Sequence, residues 1–210
     1  MKERESVDLA AIRWAKLKMV QEHYATFIPF LEDVMAELGF DTTDMQRDIA
    51  NYIAYGPQNL MVQAQRGEAK STIACIFGVW WLTQIPQDCV LLISGAGEKA
   101  AENGVLMHGL IHNWDLLDYL RPDRQAGDRT STEKFDVHWS LKGVNKSPSV
   151  SCLGITASLQ GYRAQLLIPD DIETTKNGLT ATQRNHLVSL ATASTAICTH
   201  GKILYLGTPQ

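Results

Sequence analysis

The sequence predicts an α/β fold in which a mostly parallel sheet is flanked by helices. Short segments that are apolar at every position, such as Cys89–Ile93, are typical of strands buried on both faces. These segments alternate with longer ones of helical periodicity, and that alternation favours parallel strands. The 210 residues, 45% hydrophobic and 20% charged, suit one large domain with its own core.

Two helices are predicted ahead of this α/β region. Apolar residues recur at helical spacing from Val7 to Leu38, and Pro29 marks a kink or a break between two helices. We expect residues 1–40 to form an N-terminal helical appendage and residues 41–210 to form the main domain.

The later elements follow from the same patterns and from capping and turn residues. In chain order they are a helix to Tyr55 capped by Asp41–Asp44, a strand Leu60–Ala64, a helix Lys70–Thr83, a strand Cys89–Ile93, a helix Glu98–Asn113, strands Phe135–Leu141 and Ser149–Ile155 in an antiparallel arrangement, a strand Leu166–Ile168, a helix Leu179–Thr195 and a strand Lys202–Leu206.

Charge and cysteine usage exclude several classes of protein. The formal net charge of −4 argues against a passive nucleic-acid coat, so any DNA contact must be local. The four cysteines are far apart, which disfavours a zinc site. Cys75, Cys89 and Cys198 have apolar or small neighbours in sequence, which favours reduced core residues in a cytosolic protein. We expect no membrane span, because no apolar run approaches the required length.

The segment from Ala64 to Ser71 resembles a phosphate-binding loop. The usual pattern, GxxxxGK[ST] between a strand and a helix, is matched at Lys70 and Ser71, whereas both glycine positions hold alanine and the glycine is at Gly67. The alternative is a plain strand, turn and helix with a surface lysine. Because a predicted strand precedes the loop and a predicted helix follows it, we favour a P-loop NTPase.

The residues of this loop are expected to contact ATP and Mg²⁺, the two predicted cofactors, and three of them have specific roles. Lys70 would neutralise the β- and γ-phosphates, Ser71 would ligate Mg²⁺, and Arg66 would add a second cation near the γ-phosphate. The predicted cofactor-contacting residues of the loop are Gln65, Arg66, Gly67, Glu68, Ala69, Lys70, Ser71 and Thr72.

An apolar strand ends in three acidic residues about 100 residues downstream. In a P-loop fold a carboxylate at such a strand end holds Mg²⁺ through the waters of the ion, and we assign Asp170 to the metal. A second carboxylate would activate the attacking water. Asp171 and Glu173 are both candidates for this base, and a solvated acidic turn is the alternative.

Together these residues resemble the ATPase domain of the large terminase subunit of tailed bacteriophages. The resemblance covers about Phe40 to Gln210 and is carried by Arg66–Ser71, by Asp170–Glu173 and by Gly161–Ala164 just ahead of the acidic strand. It implies a P-loop NTPase of the ASCE/RecA-like class. It also implies an ATP-hydrolysing motor that drives double-stranded DNA into a procapsid.

The resemblance implies roles for further residues. Gln46 would read adenine, with a surface glutamine as the alternative, and Thr208 would sense the γ-phosphate within a coupling motif, with a simple strand-ending turn as the alternative. In such motors an arginine reaches the neighbouring subunit's ATP. Here Arg163 is the nearest candidate, and Arg124 and Arg129 are the others.

The implied partners are double-stranded DNA, a portal protein, a small terminase subunit and further copies in a ring, a pentamer, on the portal. The isolated domain is expected to be monomeric, and the location is the host-cell cytoplasm. The nuclease domain of such terminases is not expected within these 210 residues. Two alternatives stay open: a helicase-like P-loop ATPase and a nucleotide-binding scaffold that does not hydrolyse.

Overall fold

The computed structural model describes residues 7–173, 188, 192 and 194–209. Its helices are α1 (Val7–His23), α2 (Phe27–Glu37), α3 (Asp44–Tyr55), α4 (Lys70–Gln84), α5 (Gly97–Asn113) and α6 (Trp139–Lys142), with a 3-10 helix at Asp115–Leu120. Its strands are β1 (Asn59–Gln63), β2 (Val90–Ser94), β3 (Thr130–Ser131), β4 (Lys134–Phe135), β5 (Val150–Gly154), β6 (Leu166–Asp170) and β7 (Lys202–Gly207).

The seven strands form one sheet in the order β1-β7-β6-β2-β5-β4-β3. The five strands from β1 to β5 in this order pair in parallel, and only β4 and β3 pair antiparallel. The predicted mostly parallel sheet is therefore confirmed. Because the strands are parallel, the residues that follow β1, β7 and β6 meet at one edge of the sheet.

Helical residues pack against both faces of the sheet, which explains why the central strand β2 is apolar from Val90 to Ile93. In β2, Leu92 belongs to a large cluster with α4 and α5, and Leu91 belongs to a smaller cluster with Ile197 on the other face. Since the side chains of a strand alternate between faces, both sets must be apolar. All four cysteines are free and buried, which confirms the prediction for Cys75, Cys89 and Cys198 and adds Cys152.

The first two helices pack into the larger cluster. Phe27 of α2 lies edge-on to Phe77 of α4, with ring centroids 5.0 Å apart. The break between the helices comes at residues 24–26, and Pro29 lies in the first turn of α2, where its missing N–H removes no helical hydrogen bond. The domain boundary near residue 40 stays a prediction.

The prediction of a long strand at Phe135–Leu141 is wrong. Strand β4 ends at Phe135, whose antiparallel pairing with Val150 is as predicted, and the chain then turns into α6. The side chain of His138 accepts a hydrogen bond from the Ser140 amide, which caps the first turn of α6 and ends the extended run.

Two further observations complete the fold. The predicted helix Leu179–Thr195 lies mostly outside the described residues, of which residues 188, 192 and 194–197 are helical. None of the helices in the described part of the chain combines the length and apolar character that a bilayer crossing requires.

Candidate nucleotide-binding site

The segment between β1 and α4 is shaped as a loop that enters a helix abruptly. Gly67 has a φ of +99°, and Ala69, the residue before the helix, has φ 56° and ψ 23° in the left-handed region. The N-cap residue of α4, Ala69, provides no side-chain hydrogen bond to the first turn of the helix. The amide N–H groups of that turn, together with the positive end of the helix dipole, therefore form a surface suited to phosphate.

Lys70, the first residue of α4, points to the carboxyl ends of the neighbouring strands. Its side chain is only 8% exposed, and its Nζ donates a 2.6 Å hydrogen bond to Thr208 Oγ1. The same Nζ lies 3.7 Å from Asp171 Oδ2. The predicted phosphate-binding lysine is thus not a surface residue. It contacts two of the other predicted site residues.

Asp170, the last residue of β6, is buried and held by neutral donors. Ser71 Oγ donates to its Oδ1 at 2.8 Å, and Asn103 Nδ2 donates to its Oδ2 at 3.1 Å. Burial raises the pKa of Asp170 above its ordinary value, and these two hydrogen bonds oppose part of that effect. The predicted metal carboxylate and hydroxyl are therefore in direct contact.

Asp171 turns sharply out of the sheet. Its φ is 42°, a conformation that aspartate tolerates better than most residues. The hydroxyl of Thr208 lies 3.0 Å from both Asp171 carboxylate oxygens, and it accepts from Lys70 while donating to Asp171. The three residues form a continuous hydrogen-bonded chain from the loop to the end of β7.

A cavity of about 510 Å³ opens beside this chain of residues, where β1, β7 and β6 end. Its polar lining includes Gln63, Asp171, Glu173 and Thr208. Glu173 is exposed, whereas Asp171 is held by its neighbours. Both candidate bases thus face one cavity.

The remaining loop residues surround this contact network. Gln65, Arg66 and Gly67 are exposed, while Glu68, Ala69 and Thr72 are partly buried. The exposed guanidinium of Arg66 leaves this predicted cation accessible from solvent.

Gln46 lies in α3, where its side chain completes a helix cap. Its Oε1 accepts from the Thr43 amide at 3.0 Å, while the Thr43 hydroxyl accepts from the Gln46 amide. This reciprocal arrangement is a capping box, which explains a glutamine at this position without any ligand. Its predicted contact with adenine stays a prediction.

The three candidate arginines lie in different surroundings. Arg163 and Arg124 are exposed on loops. Arg129 donates to buried Asp136 at 3.2 Å and to the Lys146 carbonyl at 2.8 Å. Arg129 is therefore already held within the β3–β4 region.

The structure adds Asn103 and Ser94, which the sequence analysis did not identify. Asn103 of α5 is 4% exposed and donates to Ser94 Oγ at 3.3 Å as well as to Asp170. No local pattern marks Asn103, because its partner Asp170 lies 67 residues away. Only the packing of α5 on the sheet brings them together.

The oxygen atoms available as metal ligands at this site fit Mg²⁺. Ser71 and Asp170 offer hydroxyl and carboxylate oxygens, the ligand type that this hard cation prefers, and Mg²⁺ typically takes few protein ligands beside phosphate and water. Among the described residues no group of three or more histidine, cysteine or acidic side chains could hold a metal ion. A dedicated protein cage is thus not seen in that part of the chain.

Comparisons with known proteins find similarity to bacteriophage terminases. The large terminase subunit of Enterobacteria phage T3 is 35% identical to the chain over 189 residues, which is 88% of the chain and 32% of the T3 protein. The chain therefore spans about a third of that relative. No protein-family model matches the sequence.

A solved structure shows the same fold. The crystal structure of the HK97 bacteriophage large terminase matches 81% of this chain and 34% of its own length with a TM-score of 0.59. The identity is 14%, so this likeness concerns the fold alone. Together with the sheet described above, it establishes the P-loop ATPase-like fold predicted from the sequence.

Proposed function

This chain is a relative of bacteriophage terminase large subunits, and we propose that it is an ATP-hydrolysing motor module that drives double-stranded DNA into a procapsid. The observation that carries the proposal is the hydrogen-bonded chain from Lys70 through Thr208 to Asp171. It joins the proposed phosphate-binding loop to the end of β6, where catalysis is proposed. It also includes the residue after β7, Thr208, which is expected to sense the γ-phosphate.

Residues 65–72 bind the triphosphate in this proposal. The amide groups at the start of α4 hold phosphate oxygens, and Lys70 leaves Thr208 for the β- and γ-phosphates. A phosphate is a stronger partner for an ammonium group than a neutral hydroxyl, because both partners are then charged. Arg66 is exposed and adds a second cation toward the γ-phosphate.

Ser71 and Asp170 hold Mg²⁺ in this proposal. When bound, the ion neutralises charge that develops on the phosphate oxygens. The Ser71 hydroxyl and Asp170 Oδ1 are already 2.8 Å apart, so both oxygens face one position without rearrangement of the sheet.

A carboxylate beside the cavity deprotonates the attacking water, and two residues compete for that role. Asp171 is in contact with Thr208 and near Lys70, so the departure of Lys70 toward phosphate would free its carboxylate. Glu173 is exposed and lines the same cavity. Thr208 loses its lysine donor in the same event, which links nucleotide binding to the end of β7.

The remaining assignments complete the proposed motor. Gln46 contacts adenine through its amide nitrogen, since its oxygen serves the α3 cap. Arg163 or Arg124 reaches the neighbouring subunit's nucleotide more readily than Arg129, which would first have to leave Asp136. The proposed partners are double-stranded DNA, a portal protein, a small terminase subunit and further copies of the chain in a pentameric ring, in the host-cell cytoplasm.

ATP turnover by the chain, alone and with double-stranded DNA and portal protein, tests the proposal. We expect Lys70→Ala to lower turnover about 100-fold or more, in the range seen when one preorganised donor to a transition state is removed. Lys18→Ala, on the exposed side of α1, is the matched control and should keep wild-type turnover. Wild-type turnover no higher than that of Lys70→Ala would favour the non-hydrolysing scaffold.

The two candidate bases are separated by isosteric variants. Asp171→Asn and Glu173→Gln each remove one negative charge and keep the side-chain volume. The variant of the true base should lose turnover yet keep affinity for a non-hydrolysable ATP analogue. Full turnover in both variants would refute a carboxylate base at either position.

A further inference from the structure

The buried amide of Asn103 lies behind the proposed metal carboxylate. Its Nδ2 donates to Asp170 Oδ2, while Ser71 donates to Oδ1, so each carboxylate oxygen has its own donor. The other contact of Nδ2, with Ser94 Oγ at 3.3 Å, fixes the amide from the neighbouring strand β2. Asp170 is only 1% exposed, which leaves it dependent on these side chains for hydrogen bonds.

Close packing of α5 brings Asn103 to this place. The next residue, Gly104, lies against the backbone of Thr132: a methyl group built there would come 2.3 Å from the carbonyl oxygen. At the start of the helix, a methyl group on Gly154 would come 3.0 Å from the backbone of Gly97. Two glycines therefore let α5 approach β5 and the β3–β4 turn closely.

The two adjacent aspartates differ in the kind of partner they have. Asp171 lies near the Lys70 ammonium, whereas the side chains that donate to the Asp170 carboxylate within the described part of the chain, Ser71 and Asn103, are neutral. A cationic partner would offset the charge that Asp170 needs in order to attract a metal ion. An amide orients the carboxylate and leaves its charge in place.

We propose that Asn103 is a positioning residue that fixes Asp170 for Mg²⁺ and thereby sets the Mg²⁺ affinity of the nucleotide site. The inference rests on the proposed function, because it takes Asp170 to be the metal carboxylate. Asn103 holds Oδ2 so that Oδ1 stays turned toward Ser71. It contacts neither the metal nor the nucleotide itself.

The test follows the binding of a fluorescent, non-hydrolysable ATP analogue by anisotropy while Mg²⁺ is titrated, and again in EDTA. Asn103→Ala should raise the half-saturating Mg²⁺ concentration about 10- to 100-fold, the range for loss of a ligand's hydrogen-bond partner. It should leave the affinity in EDTA unchanged. Asn113→Ala, at the exposed end of the same helix, is the control and should behave as wild type.

Asn103→Leu keeps the branched side-chain shape without the donor and should give the same shift in Mg²⁺ dependence. The proposal would be overturned if the affinity for the ATP analogue fell equally in EDTA and in Mg²⁺. It would also be overturned if the affinity fell in neither condition. Failure of both variants to fold would assign Asn103 a purely structural role and would also overturn it. If the wild type gains no affinity from Mg²⁺, the proposed function itself fails.

Discussion

Replacing Ala69 by glycine should stabilise the protein, although the same change in an ordinary helix destabilises. Ala69 has φ 56° and ψ 23°, and a left-handed conformation costs an alanine roughly 1–2 kcal/mol. Glycine removes this cost but adds about 0.4–1 kcal/mol of chain entropy to the unfolded state. We therefore expect Ala69→Gly to raise the free energy of unfolding by about 0.5–1 kcal/mol.

Thermal unfolding followed by circular dichroism measures this effect, and Ala101→Gly provides the matched control. Ala101 lies inside α5 in a right-handed helix, where glycine should cost about 1 kcal/mol. For a chain of this size 1 kcal/mol corresponds to about 2–4 °C in Tm. Ala69→Gly should raise Tm and Ala101→Gly should lower it, and a fall in both would refute the left-handed conformation assigned to Ala69.

Three further changes probe other parts of the molecule. Gly104→Ala should destabilise by about 1–3 kcal/mol in urea unfolding, because its methyl group would meet the Thr132 carbonyl at 2.3 Å. Thr208→Val should lower ATP turnover at least tenfold, as the link to Lys70 is lost, whereas Thr208→Ser should retain it. Asp136→Asn should cost about 3 kcal/mol at neutral pH, and this cost should shrink as the pH falls below about 4.

The surroundings of Asp136 determine why the cost of Asp136→Asn should shrink as the pH falls. Burial tends to raise its pKa, but hydrogen bonds from Lys142 and from the Arg129 amide, together with both cations, outweigh burial and lower the pKa below the ordinary value. The stabilisation is therefore complete above the unfolded-state pKa and is lost as the pH falls through the lower folded-state pKa. An Asp136→Asn cost that does not change with pH would contradict this.

Most of the fold could be predicted because its strands carry a strong local signal. Strands β2, β6 and β7 are apolar runs, since both of their faces are covered, and their predicted positions are correct to within two residues. The β3–β4 region gave no such signal. Its two strands have two residues each, and they are held by side chains around Asp136 that no periodicity reveals.

The residues of the candidate site also divide into those that a local sequence pattern predicts and those that it does not. Lys70, Ser71 and Asp170 belong to motifs whose spacing follows from the strand and loop geometry, and the structure brings all three together with Thr208. Asn103 was not predicted, because its role depends on how α5 packs on the sheet, which is a property of the tertiary structure. The proposed roles of Gln46 and of the three arginines depend on contacts with a nucleotide or with a second copy of the chain, which lie outside the fold of one chain.

In the proposed function the loop before α4 binds a triphosphate, and Lys70 exchanges partners when it does. A crystal structure of the chain with Mg²⁺ and a non-hydrolysable ATP analogue tests both points. We predict phosphate oxygens at the first turn of α4, with Lys70 Nζ moved from Thr208 Oγ1, now 2.6 Å away, to the β- and γ-phosphates. A nucleotide bound elsewhere, or a lysine still bonded to Thr208 beside a bound triphosphate, would contradict the proposed role of Lys70.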